Sequence, residues 1–265
     1  MSFVNLKEEG YLLLKDVIPE KVVNRIRGFL EVECRKCLVA IRGEVPCSEN
    51  IGELVSFIQN ASEDKKIFNQ LSQETRNILT GHFRLQARLS PLLQEIPRLP
   101  KILDILSKIF CGQSLRMHMP PMARFVLPKN PFAMAPPHQD VSYNKHLEEF
   151  YIMWVPLVKI DEQCGGLRIY EGTAFLEEQL KDLNRKFWLK GLLGMDYPKI
   201  FMRMSPGDVL FFNKNLVHES MPNHSENIRY SLDYRFFGSS TDSSKHYLDM
   251  STWKTILPKE SVEKR

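Results

Sequence analysis

The sequence predicts a β-sandwich or barrel wrapped by helices, and three features predict it. Residues before about 112 read mostly as helix. Residues after that point read as short apolar strands separated by turn clusters such as PKNP, QCGG, SPGD and MPNHSEN. No internal repeat and no low-complexity linker divides the chain, so its 265 residues are expected to form one domain. In that domain 1–112 is helical support, 113–240 is the β core, and a helical insertion falls at about 174–200.

The elements follow in order. Tyr11 to Lys15 is a short apolar strand. Pro19 fits the first turn of a helix, whose missing N–H would have no partner there in any case. Val22, Val23, Ile26, Phe29, Leu30 and Val32 then recur at three-to-four spacing, as one buried helix face requires. Further helices are expected near 63–80, 83–95 and 99–110, the last marked by Ile102, Leu103, Leu106 and Ile109. Strands are expected at 115–127, 150–158, 166–170, 207–212, 216–219 and 228–237. Within 174–200 the run FLEEQLKDLNRKFW, acidic then basic, suggests helix.

Composition excludes several classes. Apolar residues make up 43% and charged residues 26%, which is globular rather than disordered or fibrous. The 36 basic and 32 acidic side chains leave only +4, too little and too scattered for nucleic acid. No stretch approaches the ~20 apolar residues of a membrane helix. The first residues carry acids and no apolar core, so no secretory signal is expected, and the last carry no lipidation signal. The five cysteines are odd in number and loosely spaced, so a reducing, cytoplasmic setting is expected. Cys34 and Cys37 have the spacing of a zinc or redox pair, but no second pair accompanies them, and unpaired helical thiols are the plainer reading. Oligomeric state is left open.

The chemistry lies in PPHQDVSYN and in NLVHESMPNHSENIRYSLDYRF. His138 and Asp140 are two apart, so in extended backbone both point to one side. With a second histidine from another strand they would form a two-histidine, one-carboxylate facial triad. Such a triad binds Fe(II) and leaves coordination positions open. His218, after the apolar GDVLFFNKNLV, is the candidate, and His224 in a polar turn is its rival. Arg229, eleven residues beyond His218, shares a strand face with Ser231. An arginine inside a barrel needs a partner, and a carboxylate ligand suits its forked donors; pairing with Asp233 is the alternative. Tyr143 and Trp154 are candidates for the pocket lining. Arg124, Arg168, Arg203 and Arg235 also lie on expected strands; inward-facing, they would indicate an anionic substrate, but most are expected to be solvated.

HQD, the W-x-P-L of Trp154 to Leu157, GGLRIYEGT and PGDVLFFNKNLVHESMPNHSENIRYS together resemble the phytanoyl-CoA dioxygenase family, a branch of the Fe(II)/2-oxoglutarate oxygenases. The opening EEGYLLLKDVIPEKVVNRIRGFL resembles its first strand and helix; the likeness is weakest at 40–95 and 174–200. The resemblance implies a double-stranded β-helix, a jelly-roll, cupin-like core with the N-terminal helices outside it. It implies His138, Asp140 and His218 as iron ligands, and Arg229 with Ser231 as the site for the distal carboxylate of 2-oxoglutarate. It also implies O2 as co-substrate, and hydroxylation of an unactivated C–H bond in a small molecule. Desaturation, epimerisation and cyclisation are further outcomes of the same chemistry. The chain departs from the family at Gly172, Thr173 and Ala174, where a Gly-Ser-His is common. It retains Asp140, which halogenating relatives replace. A barrel-fold binding or sensor protein, and a cupin-like hydrolase or isomerase with another metal, remain as other readings of the same residues.

Overall fold

A computed structural model of the chain describes residues 4–46, 51–177, 181–182, 188–189 and 196–257. It opens with α1 (Val4–Glu8), β1 (Tyr11–Leu14) and the long α2 (Glu20–Ala40). Pro19 is the residue before α2, one place earlier than the sequence suggests, with φ −57°. The buried stripe of α2 is Val23, Ile26, Leu30, Cys34 and Cys37. Val32, expected on that stripe, is 42% exposed, and the two thiols extend the apolar face instead. Burial pushes the Cys34 thiol up to about 12, the opposite of what a thiolate ligand needs. Cys47 lies outside the described residues.

The expected helix over 63–80 is two helices, α4 (Lys65–Gln70) and α5 (Gln73–Leu79), preceded by an α3 (Ile51–Glu63) that the sequence pattern did not suggest. Asp64 and Ser72 cap α4 and α5, each accepting from a backbone N–H of the first turn. The expected 83–95 helix is also broken. It comprises α6 (Leu85–Arg88) and a 3-10 turn at Pro91–Gln94, because Pro91 has no N–H to continue a ladder. α7 (Pro100–Ile109) buries Ile102, Ile105 and Leu106.

The strand expected over 115–127 is two, β2 (Leu115–His118) and β3 (Met122–Val126), parted by Pro120 and Pro121. Then come β4 (Ala135–His138), β5 (Tyr151–Pro156) and β6 (Leu167–Tyr170). Over 174–200, where helix was expected, the described residues include the paired two-residue strands β7 (Lys181–Asp182) and β8 (Trp188–Leu189). Most of that segment lies outside the described residues. β9 (Lys199–Phe201), β10 (Val209–Asn213), β11 (His218–Ser220), β12 (Arg229–Gly238), β13 (Tyr247–Asp249) and β14 (Lys254–Ile256) complete the order.

Two large antiparallel sheets result, apart from the β7–β8 pair. The larger has eight strands and runs β1-β10-β5-β12-β2-β13-β14, with β3 also paired to β12; the smaller runs β4-β11-β6-β9. The bond from Arg229 on β12 to the Ser220 hydroxyl on β11, and the cavity lined by strands of both, show that the two sheets face each other. The helical layer lies on the far side of the larger sheet and shares its core. Leu30, Ile58, Ile102 and Leu106 join Phe125, Phe211 and Phe236 in one buried cluster. A second cluster, with Phe150, Phe212 and Ile169, fills one end between the sheets. Tyr234 ties helix layer to sheet, its buried hydroxyl donating to the Leu93 carbonyl at 2.7 Å.

Candidate metal centre and its cavity

His138 ends β4 and His218 begins β11, and the two are direct cross-strand partners. Their ring centroids lie 4.2 Å apart. Gln139 is extended (φ −111°, ψ 136°) and sends its amide the other way, to the Asn215 carbonyl at 2.8 Å. Asp140, the first residue of a 3-10 turn, therefore returns to the side of His138. One ligand atom from each of His138, Asp140 and His218 lies within 4.8 Å of the others, and the three form a metal-capable cluster.

The backbone orients both imidazoles in the same way. His138 Nδ1 meets the Pro136 carbonyl at 2.8 Å and His218 Nδ1 meets the Leu216 carbonyl at 3.0 Å. A carbonyl can only accept, so each Nδ1 is the donor there and each Nε2 is the ring nitrogen left for a cation. Burial, then the nearby His218, pushes His138 down to about 3, which keeps its ring neutral and able to bind a cation. Burial alone would raise the Asp140 carboxyl, but Arg235 and the two histidines outweigh it and hold the carboxyl below its ordinary value. Arg235 lies 3.3 Å from Asp140 Oδ1. The donor set is two imidazole nitrogens and one carboxylate, which suits a ferrous ion with open positions.

The cluster opens on a cavity of about 600 Å³ between the sheets. Alternation along β12 lines one wall with Arg229, Ser231, Asp233 and Arg235. Arg229 is buried. Its guanidinium donates to the carbonyls of Met221 (2.9 Å) and Cys164 (3.3 Å) and to Ser220 Oγ (2.7 Å), and its Nε is buried without a partner. Among the described residues no carboxylate pairs with it, so the alternative pairing with Asp233 is not formed. Burial pushes Arg229 down to about 10. Gly165 (φ +69°) lets the chain pass close: a Cβ there would stand 2.8 Å from Arg229 Nη1 and 2.1 Å from the Pro222 carbonyl. A cationic, incompletely satisfied fork thus lines the same cavity as the triad.

The other sequence-derived residues also find places. Tyr143 and the buried Trp154 both line the cavity, and the Tyr143 ring stands edge-on to His138 at 5.6 Å. His224 is exposed and outside the cluster. Arg168 and Arg203 pair outside with Glu219 and Glu162. Arg124 and Arg235, expected to be mostly solvated, are the exceptions: both face the cavity. The rule that put Arg229 and Ser231 on one face also puts Asp233 and Arg235 there, and Arg124 is the cross-strand partner of Ser231. Arg88, from α6, and His118, from β2, line the same space, and nothing in the sequence pattern marked either. A larger cavity of about 940 Å³ lies against α2, lined by Cys34, Leu38, Val158 and Tyr230; it contains none of the triad.

No helix among the described residues is long and apolar enough to cross a membrane. Comparison with known proteins agrees with the geometry. The model of the phytanoyl-CoA dioxygenase family matches residues 6–231. The human peroxisomal phytanoyl-CoA dioxygenase is 22% identical over 97% of this chain and 72% of its own length. The 1-deoxypentalenic acid 11-beta-hydroxylase of Streptomyces exfoliatus is 31% identical over 42% of this chain, and the match spans 44% of that relative's length. Among solved structures, the epimerase SnoN in complex with Fe3+, alpha ketoglutarate and nogalamycin RO superposes with TM-score 0.59 at 13% identity, over 91% of this chain and 83% of its own. That likeness makes the fold a double-stranded β-helix with outer helices. With the His138, Asp140 and His218 cluster in place and the family model spanning most of the sequence, this chain belongs to the phytanoyl-CoA dioxygenase family of Fe(II)/2-oxoglutarate-dependent oxygenases.

Proposed function

We propose that this chain hydroxylates an unactivated C–H bond of a small organic molecule, with Fe(II) held by His138, Asp140 and His218 and the distal carboxylate of 2-oxoglutarate held by Arg229 with Ser231. The observation that carries this reading is the shared cavity: the triad and an incompletely satisfied buried arginine stand on facing strands of the two sheets. Iron, 2-oxoglutarate and oxygen together supply the oxidation, with succinate and CO2 as by-products.

The chain supplies placement and exclusion. The carbonyls of Pro136 and Leu216 hold the two imidazoles with Nε2 toward one point. Asn144 Nδ2 donates to the Asp140 backbone carbonyl at 2.9 Å and steadies the turn that presents the carboxylate. Phe212 stands against His218 with centroids 4.7 Å apart and closes that side to water. The retained Asp140, and relatives named as hydroxylases, support hydroxylation over the other outcomes.

Calorimetry under argon tests this directly. The metal-free protein is expected to bind Fe(II), and 2-oxoglutarate only after the metal. His218→Ala should lose both, while oxygen with the loaded protein should yield succinate. A chain that binds neither Fe(II) nor 2-oxoglutarate would overturn the proposal.

A further inference from the structure

The cavity holds more positive charge than the metal and co-substrate account for. Five cationic side chains line it (Arg88, Arg124, Arg229, Arg235 and Lys245) against two carboxylates, Asp140 and Asp233. The excess is three. A dication at the triad and a dianion at Arg229 cancel, so loading leaves that excess unchanged. Burial raises the Asp233 carboxyl despite Arg235, which weakens its share of the compensation.

Position along β12 divides the charges. Arg229 stands beside Ser220 on β11, and Arg235 stands beside Asp140. Six residues of strand separate their backbone positions, about 20 Å at ~3.3 Å per residue, while both side chains reach into the one cavity. A diacid that spans Arg229 and the triad ends at the metal, where Arg235 already has Asp140 for a partner, so the co-substrate leaves Arg88 unmatched. At the Arg235 end lies Arg88, whose Nε donates to the Pro121 carbonyl at 3.0 Å and whose Nη2 donates to the Pro120 carbonyl at 3.4 Å. Both acceptors are neutral, and among the described residues no carboxylate pairs with Arg88. Burial, then repulsion from Arg235, lowers its ordinary value. Arg235 Nε is itself buried without a partner. Arg235 has Asp140 for a partner, whereas Arg88 faces a second guanidinium with only neutral acceptors, and such a half-buried cation calls for an anion beside it. Met122, Phe132 and Met134 give the same cavity apolar wall.

We propose that Arg88 and Arg235, with Lys245 at the rim, dock the anionic group of the substrate, a carboxylate or a phosphate monoester, whose apolar body lies along the Met122, Phe132 and Met134 wall. This rests on the oxygenase reading above and names its substrate class and a specificity-determining residue, Arg88.

The test uses the full chain loaded with Fe(II) and radiolabelled 2-oxoglutarate under argon. Octanoate, octyl phosphate, octanamide and octanol are titrated by calorimetry, with retention of the label followed in parallel. At least one of the two anions should bind about tenfold more tightly than both neutral probes, as one charge-assisted bond warrants, with the label retained. Which anion binds better separates the carboxylate from the phosphate reading. Arg88→Gln should lose that preference while keeping Fe(II) and 2-oxoglutarate affinities within about twofold of the parent. Lys245→Gln, at an exposed position, should weaken anion binding about threefold. Failure of both anions to bind, equal binding of the neutral probes, or an anion preference unchanged in both variants would overturn the proposal. Loss of Fe(II) or 2-oxoglutarate binding by the parent chain would sink the oxygenase reading, and this one with it.

Discussion

Replacing Arg229 by Gln separates co-substrate binding from folding. In the ligand-free protein this guanidinium is buried with three neutral acceptors and an unpartnered Nε. Its fall to about 10 corresponds to a cost of roughly 3 kcal/mol for holding the charge in place. The sign follows from the direction: a cation depressed on folding destabilises the fold wherever it is protonated, and the cost fades only as pH rises past about 10. Removing the charge removes that cost, while losing the bonds to Met221, Cys164 and Ser220 returns about 1 kcal/mol for each. The two nearly cancel, so the melting temperature of the ligand-free variant should lie within a few degrees of the parent. The 2-oxoglutarate complex should behave otherwise. A forked, charge-assisted contact is worth about 3 kcal/mol, or roughly a hundredfold in Kd. Calorimetry on the Fe(II)-loaded protein reads that number, and differential scanning calorimetry without ligand reads the other. An unchanged 2-oxoglutarate Kd in a folded Arg229→Gln protein would refute the assignment of this arginine.

Other perturbations follow from the same geometry. Asp140→Ala removes a metal ligand and also the partner of a buried guanidinium, so the metal-free protein should lose about 3 kcal/mol by denaturant titration and Fe(II) binding should disappear. Gly165→Ala forces a Cβ against the Pro222 carbonyl and Arg229 Nη1, and should raise the KM for 2-oxoglutarate about tenfold with Fe(II) affinity kept. His82, His118, His138 and His146 are depressed to about 4, 3, 3 and 4, mainly by burial. The unfolded chain therefore takes up protons that the fold refuses as pH drops below about 6.5, and stability of the metal-free protein should fall from there toward pH 4 with a slope approaching four protons. Tyr234→Phe leaves the Leu93 carbonyl unmet and should cost about 1.5 kcal/mol in urea unfolding, without changing Fe(II) binding.

The triad and Arg229 are legible in the sequence because period-two alternation is a local property. His138 and Asp140 need only one extended residue between them, and Gln139 provides it. The main strands are legible because turn residues bracket them. The helix breaks are less so: Ser72 and Ser90 end one pattern and cap the next within an apolar rhythm that reads as continuous. The substrate end of the cavity is the least legible. Arg88 comes from a four-residue helix and His118 from a strand next to two prolines, and only tertiary packing brings them to Arg235. Arg235 itself was within reach, since Arg229, Ser231, Asp233 and Arg235 obey one alternation.

That alternation has an evolutionary consequence. Losing or gaining a single codon inside β12 would invert every side chain beyond the lesion, sending groups meant for the reaction chamber into the aromatic layer behind it. Co-substrate grip and substrate grip would fail in the same generation. Divergence of this wall is thus open to exchange of one amino acid for another, and new specificities should arise by swaps at alternate places rather than by changes of length.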